Sequence, residues 1–404
     1  MADDPKENDQ GIGVPVLLWL AVATFSMGID GYVLAGLLPA IAADLSVDVA
    51  AAGQLMAVFA LTTAVAGPVL GALTGGWERR RVIVLSLAVF IAGNLLVAVA
   101  PAYGWAMAGR VISALGASLL NAAVSAYVIA RTPVHRRGRA LSFVLGGWLT
   151  ATALGVPVGL VIGQTDWRAP LFLIAAVGLV ALVGIRIKLP LLRGTGSGLR
   201  DALRPLGRPR LLGGLLVSTG VMCASYACFT YAALIVGPRV GGGLALVAVM
   251  FGYGLASLMG NVLTGRLSDR FRPENVLSVV ILALLAASVL GWAGLLLPGL
   301  MGAVAAIAWF FVCAVGNGGF AVPQQARLGA LAPESVAVVM ALNGSAISLG
   351  SALGAGLGGA SLTAGLGVDE LLLVAGAVLL ATLVLHLGVR ATAALGARRV
   401  GQAP

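Results

Sequence analysis

The chain has 404 residues, of which 60% are hydrophobic and only 10% charged, against about a quarter charged in a typical soluble domain. With a mean hydropathy of +1.03, this composition excludes a soluble globular protein and identifies an integral membrane protein. The net charge of +10 would suggest nucleic acid in a soluble chain, but helix orientation accounts for the basic residues and makes that partner an unneeded one.

The first residues are acidic, with Asp3, Asp4, Glu7 and Asp9, and the apolar run after them is longer than a signal-peptide core, so no cleaved signal peptide is expected. Twelve apolar segments of membrane-crossing length follow, at 14–38, 51–74, 82–102, 104–128, 140–163, 169–189, 211–237, 242–264, 275–297, 299–325, 336–362 and 370–392. They are continuously apolar and rich in Leu, Ala and Val. Barrel strands would be about ten residues of alternating polarity, so the spans are predicted to be helices.

The stretch 190–210, with Pro190, Gly194, Gly196, Gly198, Pro205 and Pro209, reads as a linker between two sets of six spans. The predicted plan is a tail over 1–13, a six-helix bundle over 14–189, the linker, a second bundle over 211–392 and a tail over 393–404. Odd-numbered gaps between spans carry only Arg168 and Arg239. The other basic residues outside the spans fall in even-numbered gaps, Arg327 among them, or at the termini. This positive-inside bias predicts a multi-pass protein of the inner (cytoplasmic) membrane with both termini and the linker in the cytoplasm.

Ionisable residues within spans are costly and mark pathways. The first span holds Asp30, the only carboxylate well inside an apolar segment, and the fourth holds Arg110, the only basic residue at such depth. Arg110 either tunes Asp30, binds a backbone carbonyl or ties helices together. The fifth span carries Gly155, Pro157, Gly159 and Gly163, a face of small residues that lets another helix approach closely. With the proline bend, that face also suits a flexible seam between halves that rock during transport. Cys223, Cys228 and Cys313 fall within spans at spacings that suit packing rather than a disulfide or zinc. The last span contains His386, which reads as a snorkelling or interface residue rather than a relay. Gly354 to Gly359 matches a dinucleotide-binding pattern by letter, but no strand precedes it and the match is discarded. No cofactor, metal site or enzymatic cluster is expected.

Features recur at an offset near 195. Gly71 before Arg79 pairs with Gly265 before Arg266, and Gly155, Gly159 and Gly163 pair with Gly350, Gly354 and Gly358. Together with the two sets of six spans, three passages carry a likeness. They are Gly36 to Leu45 with Pro39 and Asp44, Arg110 followed by Gly116, and the fifth span from Gly147 through Gly155, Pro157, Gly159 and Gly163 to Trp167 and Arg168. The whole resembles the major facilitator superfamily, and within it the twelve-helix drug:proton antiporters similar to bacterial chloramphenicol and arabinose-type efflux permeases. The fifth-span pattern is similar to the motif that favours export over uptake.

The resemblance implies an all-α membrane fold of twelve transmembrane helices in two pseudo-symmetric six-helix bundles. It also implies export of small hydrophobic or amphiphilic compounds, such as antibiotics, in exchange for protons. The rival within the same fold is a permease for a sugar or other metabolite. The family's first helix often carries acids eight or nine positions before the proline. Asp30 is nine before Pro39, and Gly31 occupies the other place.

A lone buried acid suits proton coupling, because desolvation favours the neutral form and a nearby cation the carboxylate. Asp30 and Arg110 are therefore the expected coupling residues. Polar and aromatic residues of the first, fourth, seventh and tenth spans, Phe25, Asn121, Tyr226, Tyr231, Trp309 and Asn317, are expected either to line the substrate cavity or to pack helices. The loop after the second span lacks the family's usual Asp, having Gly75 in its place and Glu78 before Arg79. The second copy is intact, with Gly265, Asp269, Arg270 and Arg272. The C-terminal loop is thus expected to be the stronger conformational lock, unless the arginines serve topology alone. The expected partners are a small-molecule substrate, protons and the bilayer, and a monomer suffices.

Overall fold

A computed structural model describes residues 12–133, 136–194 and 204–400. Among these, all regular structure is helical, and twelve helices are long and apolar enough to cross a membrane. They are α1 (Val14–Asp44), α2 (Val49–Leu73), α3 (Arg79–Ala98), α4 (Tyr103–Arg131), α5 (Arg137–Gly163), α6 (Ala169–Lys188), α7 (Pro209–Phe229), α8 (Gly243–Arg270), α9 (Pro273–Leu295), α10 (Gly299–Leu331), α11 (Val336–Thr363) and α12 (Leu371–Val400). Helices satisfy every backbone N–H and C=O within the segment, which hydrocarbon demands. Large side chains on the outside, such as Leu300 at 79% and Leu290 at 71% exposure, need no protein partner when lipid surrounds them.

All twelve predicted spans are found, with informative differences at their ends. The seventh does not run unbroken to 237. α7 stops at Phe229, Tyr231 leaves helical geometry at φ −105°, and a short helix follows over Ala232–Val240. The break seats the buried Tyr231 ring beside Gly358, with its hydroxyl donating to Ala355 O at 3.1 Å. Gly241, Gly242 and Gly243 then turn the chain into α8 at positive φ, a conformation open to glycine without strain. The last helix runs on to Val400.

In α5 the five residues Ala151–Gly155 form a π turn, in which Val156 N donates to Ala151 O. Pro157 is the cause supplied by sequence. It has no N–H for the carbonyl four residues back, and a wider turn redistributes the hydrogen bonds.

Backbone contacts divide the chain into two units, Met1–Leu37 with Val65–Leu199, and Leu38–Ala64 with Arg200–Pro404. In the first, α3 lies along α4, where a Cβ at Gly116 would meet the backbone of Ser86 and Phe90. The glycine face of α5 packs on α1. A Cβ on Gly155, Gly159 or Gly163 would reach the side chains of Ile29, Val33 and Leu37 in turn, at 2.5, 2.8 and 2.8 Å. In the second unit, Gly350, Gly354 and Gly358 of α11 sit in the same way on α7, against Thr219, Cys223 and Ala227 with Tyr231. The glycine faces paired by sequence offset therefore make the same kind of contact, each within its own unit.

Candidate functional site

Asp30 is fixed by its neighbours along α1. Thr24 Oγ1 donates to Val144 O of α5 at 2.5 Å and Ser26 Oγ to Ile174 O of α6 at 2.9 Å. Ile29 and Val33 interlock with the α5 glycines. With those directions occupied, the Asp30 carboxylate meets α4, where Arg110 Nη1 donates to Oδ1 at 2.7 Å. The side chains are 0% and 2% exposed. Asp30 Oδ2 is also buried and has no hydrogen-bond partner among the described residues. The structure thus brings together the two ionisable residues singled out by sequence, as a direct ion pair.

The Gly31 position is explained by Trp148, whose ring would stand 3.3 Å from a Cβ there. An acid at 31 would have to displace that indole.

The aromatic candidates divide. Tyr226 and Trp309 join Phe229, Tyr253 and Phe310 in one cluster of the second unit, with Tyr253 and Phe310 centroids 4.5 Å apart and Tyr226 and Phe229 5.7 Å apart. Asn317 belongs to it through hydrogen bonds. Its Nδ2 donates to the Tyr253 hydroxyl at 2.8 Å, and Ser225 Oγ donates to its Oδ1. Phe229, Tyr253, Trp309, Phe310 and Asn317 surround a cavity of about 20 Å³ that Ser225, Ser288 and Cys313 also line, space for about one water molecule; Tyr226 packs on Phe229 outside that lining. The Trp309 indole N–H is buried in that wall with no hydrogen-bond partner among the described residues.

Tyr231 lies instead in the α7–α11 seam. Phe25 is half-buried beside Gly155, and Asn121 is exposed on α4. Ser225, Tyr253 and Ser288 were not singled out by sequence. Serines and tyrosines are common in helices, and only the convergence of α7, α8, α9 and α10 distinguishes these.

The loop candidates differ in engagement. Glu78 caps α3, accepting from Arg80 N at 2.8 Å and Arg81 N at 3.2 Å. A Cβ added at Gly71 would stand 4.0 Å from the Ala122 side chain. Gly265 faces open space, and Asp269 and Arg270 are exposed at the end of α8.

His386 is not a snorkelling residue, for it is 0% exposed. Arg327, read from sequence as a loop residue, lies inside α10 at 4% exposure with Nη1 3.0 Å from His386 Nδ1. Because guanidinium only donates, Nδ1 is the acceptor. The Nε2 proton then faces Glu274 O at 3.2 Å and Ser278 Oγ at 3.0 Å. A ring whose two nitrogens both find partners stays inside. The two arginines of the odd-numbered gaps are likewise engaged. Arg239 pairs with Asp369 at 2.5 Å, and Arg168 donates to Ala100 O at 2.9 Å while lying over the Trp167 ring.

A model of the Major Facilitator Superfamily matches residues 20–304. The uncharacterized MFS-type transporter YtbD of Bacillus subtilis (strain 168) is 33% identical over 356 residues, covering 86% of this chain and 88% of that protein. A chloramphenicol resistance protein of Streptomyces lividans is 37% identical over 272 residues, 65% of this chain and 69% of its own. In fold, the chain is similar to a bacterial homolog of the human lysosomal transporter Spinster in its inward-facing, occupied conformation. The TM-score is 0.74 at 17% identity, over 93% of this chain and 96% of that one. Twelve apolar helices, a glycine seam in each unit and a family match over more than half of the sequence lead to one assignment: this chain is a multi-pass membrane transporter of the major facilitator superfamily.

Proposed function

We propose that this transporter exports small, largely apolar compounds in exchange for protons, with Asp30 as the proton carrier and Arg110 as its electrostatic counterpart. The observation that carries this reading is the buried pair with a bare Oδ2. One carboxylate oxygen is held by a cation, and the other is available to a proton. Protonation at Oδ2 neutralises the acid and weakens its charge-assisted bond to Arg110, so the proton state is tied to the α1–α4 contact. Alternating access requires such a link between ligand state and helix packing.

The substrate class follows from the wall of the second-unit cavity, which is aromatic and contains only uncharged hydrogen-bonding groups. Such a wall suits a neutral, partly aromatic compound and disfavours a polyhydroxylated one, which needs many polar partners. The water-sized space means that a substrate enters only when Phe229, Tyr253 and Trp309 part. Similarity to a chloramphenicol resistance protein supports export of antibiotics. In this reading the protein works as a monomer in the inner membrane, with its termini and basic loops in the cytoplasm. The loop with Asp269 and Arg270 would be the stronger conformational lock, and any lock at the loop after α2 would depend on Glu78.

The test is a drug-susceptibility panel in an efflux-deficient host, comparing the native protein with Asp30→Asn, followed by transport in everted vesicles. Resistance from the native protein alone, abolished by a protonophore, is the expected result. Normal efflux by well-expressed Asp30→Asn would refute the carrier role, and substrate movement down the proton gradient would refute export.

A further inference from the structure

The turn between α2 and α3 lies against residues 189–194, which leave α6 at the root of the link between the two halves. Arg79 N donates to Leu192 O at 2.8 Å, and Gly194 N donates to Trp77 O at 3.1 Å. Arg80 Nη1 donates to Leu189 O and the Tyr127 hydroxyl to Pro190 O, both at 3.2 Å. Gly194 approaches so closely that a Cβ there would stand 2.6 Å from Trp77 O. At the centre is Glu78. Besides capping α3, its Oε1 accepts from Leu192 N at 3.4 Å. It is also the one acid among residues 74–81 and 189–194, a group that brings Arg79, Arg80, Arg81 and Arg193 together.

Helix caps favour Ser, Thr, Asp and Asn, whose short side chains reach the first-turn N–H groups. A glutamate is longer than that task needs. Here the added methylene lets one carboxylate face both the start of α3 and the backbone of a distant segment.

We propose that Glu78 is a positioning residue that straps residues 189–194 to the α2–α3 turn. The turn and residues 189–194 then move as one body. The strap is independent of substrate and of transport direction, so it stands or falls apart from the export reading.

Limited trypsin digestion of the purified full-length protein in detergent tests it by the rate of cleavage after Arg193. A protease needs that backbone released on both sides. Glu78→Asp keeps a good cap but is too short to reach Leu192, and Gly194→Ala pushes the strap away without touching the carboxylate. In each variant, cleavage after Arg193 is expected to rise roughly tenfold, as befits loss of one charge-assisted hydrogen bond, while the melting temperature and cleavage elsewhere stay unchanged. Equal cleavage in wild type and Glu78→Asp overturns the proposal. So does a Glu78→Asp protein that melts earlier and is cut faster everywhere, since that marks a cap alone. Should Gly194→Ala fail to fold, Glu78→Asp decides by itself.

Discussion

Asp30 and Arg110 each offset a cost that the other would carry alone. Removing one partner of a buried pair leaves an uncompensated charge and costs about 3–5 kcal/mol, whereas replacing both by neutral groups is often close to neutral. Arg110→Gln is therefore expected to lower the melting temperature markedly. Asp30→Asn combined with Arg110→Gln should recover most of that loss while leaving proton-driven efflux at background. A double variant as unstable as Arg110→Gln would show that the pair is not what holds α1 to α4. Trp309→Phe makes the opposite separation. Its buried N–H has no partner among the described residues, so losing it is expected to be neutral or slightly stabilising. Efflux of compounds with a hydrogen-bond acceptor should fall if that N–H meets substrate, and unchanged efflux of every compound in the panel would remove Trp309 from the recognition wall. Sequence exposed Asp30 and Arg110 because charge in hydrocarbon is rare. It did not expose Ser225, Tyr253 or the burial of Arg327 and His386, because those depend on which side chains converge from separate helices.

Among elements, the repeated glycines were legible as faces, since a spacing of four is one stripe of a helix. Their partners were not, because spacing does not say which neighbour lies opposite. The partners decide the expected damage. At Gly159 an added Cβ meets a side-chain methyl of Val33 at 2.8 Å, which yields more readily than backbone. At Gly354 it meets the Cys223 and Ala227 backbone, which cannot move without shifting α7. Gly159→Ala is therefore expected to cost about 1 kcal/mol and Gly354→Ala to lie at or above the upper end of the 1–3 kcal/mol usual for overpacking. Thermal unfolding of the two variants side by side checks the order. The π turn of α5 and the break after Phe229 belong to the same scale. Pro157 forewarned of the first, whereas the second follows from seating Tyr231 and has no helix breaker in sequence.

For the whole molecule, twelve spans and the charge bias of their loops predict the topology. Reporter fusions placed within 195–203 and after residue 392 are expected to be active in the cytoplasm, and one placed between Gly241 and Gly243 on the opposite side. A fusion at the linker that reports the outer side would invert the orientation and, with it, the assignment of export.

Composition, apolar segment length and the placement of arginine by themselves determined that this chain is a twelve-helix membrane protein. Those quantities act locally, each helix answering to the bilayer alone. The tertiary structure decided that Asp30 meets Arg110 while keeping one oxygen bare, and that each glycine face closes on a helix of its own unit. It also placed Trp309 with Asn317 around a neutral cavity and made Glu78 reach beyond its own helix. Each of these is a contact between residues far apart in the chain, set by how helices pack once formed, and no helical period encodes the identity of a helix's neighbour.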